Sequence, residues 1–131
     1  MISLFRSSKK KEEKNPFRFP AQFIDIHSHL LPGIDDGSNS IEESIEMLIN
    51  MKALGIEHFV FTPHVIQGVW ENSTETILAK EKEFLKEIKT IPELQNITIR
   101  VAAEYMLDEH FKNVLIPVSY THLRAHETLR Y

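Results

Sequence analysis

The residues best suited to chemistry in this chain are histidines and carboxylates that follow β-prone runs. His27 and His29 end the first such run, and in extended backbone two side chains spaced by two project to the same side. His64 stands just after a second β-prone run, and Glu104 just after a third. Imidazole and carboxylate groups are ligands of divalent metals. The pattern therefore predicts a metal site to which three strands each deliver a ligand.

A further carboxylate, Asp36, lies in the loop after the first run, where a turn at Gly37 could aim it back over the same edge. Its neighbour Asp35 is interpreted as a turn or cap residue, and His58, which opens the second run at the opposite end, is left out of the site. The chain has no cysteine, which excludes thiolate ligands and a cysteine nucleophile. An imidazole-rich, carboxylate-bridged site without thiols fits a cluster of manganese, iron or zinc ions.

Three strands and two amphipathic helices must position these residues. The strands are predicted over residues 23–26, 58–62 and 97–101, the last running on into Ala102 and Ala103. The helices are predicted from Ser40, which has capping-box spacing to Glu43, as far as Gly55, and over residues 74–91. Strands joined by helical crossovers imply an α/β fold with a parallel sheet. Sites in such sheets are built at the carboxyl ends of the strands.

Composition narrows the class of protein. With 131 residues, 42% hydrophobic and 26% charged, the chain is globular but about half as long as a barrel of eight strand–helix units. A formal net charge of −4 gives no electrostatic field that would recruit nucleic acid.

No apolar run approaches the roughly 20 residues that span a bilayer, so we expect a cytoplasmic protein with no membrane insertion. Residues 1–22 are predicted to form a flexible charged leader.

Three segments together resemble the polymerase-and-histidinol-phosphatase (PHP) superfamily. They are residues 24–37 (IDIHSHLLPGIDDG), 62–64 (TPH) and 102–109 (AAEYMLDE). Within the superfamily the chain is most similar to the bacterial manganese-dependent protein-tyrosine phosphatases of capsule and exopolysaccharide synthesis. The resemblance implies a distorted barrel of seven strand–helix units, of which this chain holds the N-terminal part.

The resemblance also implies the site and its chemistry. The metal ligands would be the five residues His27, His29, Asp36, His64 and Glu104, with Asp36 and His64 also serving catalysis. They would hold two or three divalent ions, manganese first, with iron or zinc as alternatives. Phosphotyrosine would be hydrolysed by a metal-activated hydroxide, and the substrate would be the tyrosine-rich tail of a polysaccharide co-polymerase kinase. An oligomer is compatible with the resemblance.

The end of the chain departs from the family pattern. The family supplies a later histidine, a phosphate-binding arginine and an aspartate–histidine pair, and none of these is matched here. Residues 117–131 instead resemble the translation of a sequencing adapter, so we predict a non-native tail there and a truncated phosphatase domain over residues 23–116.

Three alternatives stay open on this sequence. The first is a PHP-type phosphatase of a small phosphate monoester such as histidinol phosphate. The second is a metal-dependent amidohydrolase, which also carries a His-x-His motif after its first barrel strand. The third is an inactive fragment that binds metal weakly.

Overall fold

Strands and helices alternate along the part of the chain that the structure, a computed structural model, describes, which is residues 17–115. The strands are β1 (Ile24–Ser28), β2 (His58–Phe61), β3 (His64–Val65), β4 (Thr98–Val101) and β5 (Glu104–Tyr105). The helices are α1 (Ile41–Ala53), α2 (Thr74–Ile88) and α3 (Glu109–Leu115), with a 3-10 turn at Pro92–Leu94. The predicted order of three main strands and two long helices is confirmed.

The main sheet has the order β1-β2-β4, and both of its strand pairs are parallel. Ile24 lies opposite His58, and Phe59 lies opposite Ile99. The α/β fold with a parallel sheet is therefore confirmed. All three strands end at the same edge, which places the residues that follow them side by side.

A second, two-stranded parallel sheet continues beyond this edge and was not predicted. The third strand was expected to run on through Ala102 and Ala103, but β4 ends at Val101 and pairing resumes only at Glu104. The neighbouring strand is interrupted at the same level by Pro63, which has no N–H to donate to the ladder. The carbonyl of Pro63 accepts a hydrogen bond from Glu104 N at 3.0 Å, and β3 and β5 pair directly after it.

The first helix begins as the sequence predicts and shows one difference at its cap. Ser40 accepts a hydrogen bond from Glu43 N at 3.1 Å, but the Glu43 carboxylate accepts from Asn39 N rather than from Ser40 N. Gly55, with a φ of +93°, ends the helix in the left-handed region that glycine tolerates best.

The second helix is shorter than predicted. It ends at Ile88 rather than at Ile91, and a 3-10 turn begins at Pro92. Proline disfavours helical backbone for the residue before it, so Ile91 adopts an extended conformation instead. The predicted buried stripe is confirmed at Ile77, Phe84 and Ile88.

The core lies between the two long helices and one face of the main sheet. Its most completely buried large side chains are those of Phe59, Phe61, Phe84, Leu31 and Leu48. Among residues 17–115 nothing covers the opposite face at β1, where Ile26 is 72% exposed. No helix within residues 17–115 is long and apolar enough to cross a membrane.

Most of the predicted leader and the whole of the predicted tail, residues 117–131, lie outside the described residues. The last six leader residues are described. Phe19 N donates to Leu54 O at 2.8 Å, and the Phe19 ring packs against the core and against Phe23. This segment therefore runs along the end of α1 before β1 begins.

Candidate functional site

The candidate site lies where β1 ends and the small β3–β5 sheet begins. His27 belongs to β1 and His29 follows its last residue, while His64 and Glu104 open the two short strands. His64 and Glu104 are register partners in the parallel β3–β5 pair, so their backbones lie side by side. The unpredicted small sheet is thus what brings these two residues into direct proximity.

One oxygen atom is the centre of this arrangement. Glu104 Oε2 lies 3.2 Å from His27 Nε2, 3.2 Å from His29 Nε2 and 3.5 Å from His64 Nδ1. The imidazoles of His27 and His29 approach each other to 3.4 Å between their Nε2 atoms, as their spacing of two residues predicts. Three histidines and one carboxylate therefore converge on a space a few ångströms across.

Asp36 completes the set on the far side of His64. Its Oδ1 lies 3.4 Å from His64 Nε2. Potential ligand atoms within 4.8 Å of one another form two overlapping groups, His27, His29 and Glu104 on one side and His29, Asp36 and His64 on the other. The structure thus brings all five sequence-predicted residues together, in an arrangement with room for more than one ion.

The site is covered on the protein side and open on the other. The side chain of His64 is only 20% exposed, whereas those of His27 and Asp36 are 56% and 58% exposed. Water and a substrate can therefore approach past His27 and Asp36. His58, which was left out of the site, lies at the opposite end of β2 and is hydrogen-bonded through Nδ1 to Thr98 Oγ1 at 2.8 Å.

Asp35 makes the predicted turn contact and two further contacts within the site. Its Oδ1 accepts a hydrogen bond from Gly37 N at 3.0 Å, which is the predicted turn contact. Its Oδ2 lies 2.8 Å from His29 Nδ1 and accepts from His64 N at 3.0 Å. The side chain is fully buried. It therefore fixes the ring of one candidate ligand and the backbone of another.

Burial by itself raises the pKa of the Asp35 carboxyl, because a charged group loses hydration there. The hydrogen bonds from the His29 ring and from the amides of Gly37 and His64 outweigh burial and hold the pKa of Asp35 below its ordinary value. The carboxylate is therefore ionised and accepts the proton on His29 Nδ1. The other ring nitrogen, His29 Nε2, is the atom that faces Glu104.

Two further residues shape the loop that carries Asp36. A Cβ atom at Gly37 would lie 2.1 Å from His29 O and 2.4 Å from His29 Cβ, so only glycine fits against this backbone. Asn72 Nδ2 donates to Ile34 O at 2.8 Å and to His64 O at 2.9 Å. The amide of Asn72 therefore ties the Asp36 loop to the start of β3.

Sequence reasoning missed Asn72 and the wider role of Asp35. In the sequence, Asn72 belongs to an Asn-x-Thr tripeptide just before a predicted helix. Asparagine at such a position commonly makes hydrogen bonds to nearby backbone. Its acceptors are 8 and 38 residues away along the chain. No spacing rule points to such partners.

Fold and site together define a parallel α/β protein with a histidine–carboxylate cluster at the carboxyl edge of its sheet. A family described as "Capsular polysaccharide synthesis, CpsB/CapC" matches residues 23–128. The chain therefore belongs to the CpsB/CapC family. The match extends past residue 116, so the domain boundary drawn there stays a prediction.

Curated relatives carry the names of phosphatases. The chain is 34% identical over 89 residues to tyrosine-protein phosphatase YwqE of Bacillus subtilis, covering 65% of this chain and 35% of that protein. It is 32% identical over 78 residues to the putative tyrosine-protein phosphatase CapC of Staphylococcus aureus, covering 60% and 29%. Over 68 residues it is 37% identical to tyrosine-protein phosphatase CpsB of Streptococcus pneumoniae, covering 50% and 28%. The matched segment thus spans about a third of the length of these relatives.

Proposed function

We propose that the five-residue cluster is the N-terminal part of the active site of a metal-dependent protein-tyrosine phosphatase linked to capsule or exopolysaccharide synthesis. The observation that carries the proposal is the convergence of His27, His29 and His64 on a single oxygen of Glu104 in a chain of the CpsB/CapC family. Relatives named tyrosine-protein phosphatases support this reaction over hydrolysis of a small monoester or of an amide.

The donor set fits divalent metal ions. Imidazole nitrogens bind such ions at about 2.0–2.1 Å, so ligand atoms around one ion lie roughly 3–4 Å apart. The separations of 3.2–3.5 Å around Glu104 Oε2 match this spacing. His27, His29 and Glu104 would hold one ion, and Asp36 and His64 supply donors beside it. Borderline imidazole with hard carboxylate donors suits manganese, with iron and zinc as competitors.

Ions held there would supply Lewis-acid polarisation of a phosphoryl group and activation of a water molecule. The protein's own residues supply the geometry. Asp35 orients His29 Nε2 toward the cluster, and Glu104 would hold ions together with the imidazoles that lie around its Oε2. Asp36 and His64 are the proposed catalytic pair, since Asp36 is on the open side of the site and its Oδ1 lies 3.4 Å from His64 Nε2.

The wider assembly follows from the same proposal. We propose that the main sheet is part of a distorted barrel of seven strand–helix units, which would cover the exposed Ile26 face of β1. The proposed substrate is a phosphotyrosine protein, the tail of a polysaccharide co-polymerase kinase, and the proposed location is the cytoplasm. The proposed phosphatase segment is residues 23–116, preceded by a charged leader and followed by a non-native tail.

A chimaera tests the proposed activity. The matched segment of the B. subtilis relative is replaced by the corresponding residues of this chain, and hydrolysis of a phosphotyrosine peptide and of histidinol phosphate is followed with and without manganese. We expect manganese-dependent release of phosphate from the peptide. Glu104→Gln in the chimaera should abolish it, whereas His58→Gln, outside the site, should retain it. Activity that survives Glu104→Gln would contradict the proposal, and preference for histidinol phosphate would favour the small-monoester alternative.

A further inference from the structure

Trp70 contacts the candidate site through the ring of His64. The two rings stack with their centroids 5.0 Å apart and their planes 17° from parallel. The His64 ring also contacts the ring of His29, with centroids 4.5 Å apart. Trp70 does not itself offer a metal ligand, because its indole nitrogen is only a donor.

His64 differs from His29 in how its ring is held. His29 has an outer partner, the buried Asp35 carboxylate at its Nδ1. The two nitrogens of His64 face Glu104 and Asp36, which are themselves candidate ligands. Within residues 17–115, the His64 ring has no hydrogen-bond partner outside the cluster. Something else must therefore fix its orientation.

We infer that Trp70 is the positioning residue for His64. The stacked indole orients the His64 ring, as the Asp35 carboxylate orients the His29 ring. This inference rests on the proposed function, because it assigns a role within the same metal site. A flat ring against a flat ring limits rotation of the imidazole about its Cβ–Cγ bond. It also covers one surface of a ligand that is only 20% exposed.

The loop around Trp70 is built to hold the indole in place before any ligand binds. Ile66 and Trp70 exchange two backbone hydrogen bonds of 2.9 Å across a tight turn. Gly68, with a φ of +78°, provides the left-handed residue of that turn. Two residues after Trp70, the amide of Asn72 bonds to His64 O. The backbone on both sides of the indole is therefore tied to β3, where His64 begins the strand.

Manganese binding to the 131-residue chain tests the inference. Free manganese is measured by electron paramagnetic resonance for the wild type, Trp70→Leu, Trp70→Phe and the control Val69→Ala. Val69 is in the same turn but its side chain is exposed. Loss of a residue that orients a metal ligand costs about 10- to 100-fold in affinity. We expect a loss in that range for Trp70→Leu, recovery of most of it in Trp70→Phe, and no change in Val69→Ala.

A second readout follows the stack itself without metal. In spectra of histidine ring protons, the His64 signals should be shifted upfield by the indole ring current in the wild type. They should move downfield in Trp70→Leu, with Val69→Ala unchanged.

The outcomes separate the inference from the proposed function. Wild-type affinity in Trp70→Leu, or equal losses in Trp70→Leu and Trp70→Phe, would overturn the role of the stack while leaving the metal site standing. Absence of manganese binding by the wild type would overturn the metal site, and the inference with it.

Discussion

Replacing Asp35 with asparagine removes the charge behind His29 while preserving the shape of the side chain. The carboxylate accepts three hydrogen bonds, one at Oδ1 from Gly37 N and two at Oδ2 from His29 Nδ1 and His64 N. Asparagine has one acceptor oxygen and one NH2 group. In its better orientation the oxygen keeps His29 and His64, and the Gly37 amide then faces a donor.

The size of the effect follows from that count. One hydrogen bond to a fully buried charged group is lost, which is worth about 1.5–3 kcal/mol, and the two retained bonds weaken because their acceptor is now neutral. We expect the free energy of unfolding of the metal-free chain to fall by about 2–3 kcal/mol. Manganese affinity should fall by about 10- to 100-fold, because a neutral amide oxygen holds the His29 ring more weakly than the carboxylate does.

Chemical denaturation of the metal-free protein and a manganese titration measure the two effects separately. Asp25→Asn is the matched control, since Asp25 also accepts a backbone amide, that of His27, but in a solvent-exposed hydrogen bond. We expect the control to lie within about 0.5 kcal/mol of the wild type. Asp35→Asn with the stability and affinity of the control would refute the positioning role of Asp35.

Three further predictions concern the loop, the core and one partly buried acid. Gly37→Ala should weaken manganese binding and lower the melting temperature, because its Cβ would lie 2.1 Å from His29 O. Unchanged binding and an unchanged melting temperature would contradict the requirement for glycine at this position. Phe84→Ala should reduce the free energy of unfolding by about 3–5 kcal/mol in denaturation, because the ring is almost fully buried; a loss below about 1 kcal/mol would contradict the packing described. Burial raises the pKa of Glu81 in the folded protein above its unfolded value of 4.5. The contribution of Glu81 to stability is therefore greatest below pH 4.5, where the carboxyl is neutral in both states, and it is lost as the pH rises through the folded pKa. Glu81→Gln should therefore raise the melting temperature at pH 7 and lose that advantage on acidification, whereas a constant difference at every pH would count against the shift.

The sequence predicted the main elements because their signals are local. Alternating β-prone runs, the Ser40 cap and the left-handed Gly55 each act over a few residues, and the structure confirms them. The five candidate ligands were found because parallel strands end at one edge, so residues far apart in sequence could be placed together from strand ends alone.

The rest depended on contacts that no local signal reveals. Strands of two residues, such as β3 and β5, are too short to show a periodicity, so the re-pairing after Pro63 was missed. Asp35 was interpreted through its local bond to Gly37 N, whereas its bond to His64 N spans 29 residues. Asn72 likewise acts through the carbonyls of Ile34, in the loop after β1, and of His64, in β3. Residues that position ligands were therefore harder to predict than the ligands themselves.

Metal content of the purified chain tests the central claim most directly. Elemental analysis is run on the wild type beside His27→Ala and Glu104→Ala, which remove the most exposed histidine of the cluster and the oxygen on which three imidazoles converge. We predict stoichiometric manganese, iron or zinc in the wild type and a marked fall in both variants. Wild-type protein that is folded yet holds no metal above background, or variants that retain the full amount, would contradict the claim that these residues form a metal site.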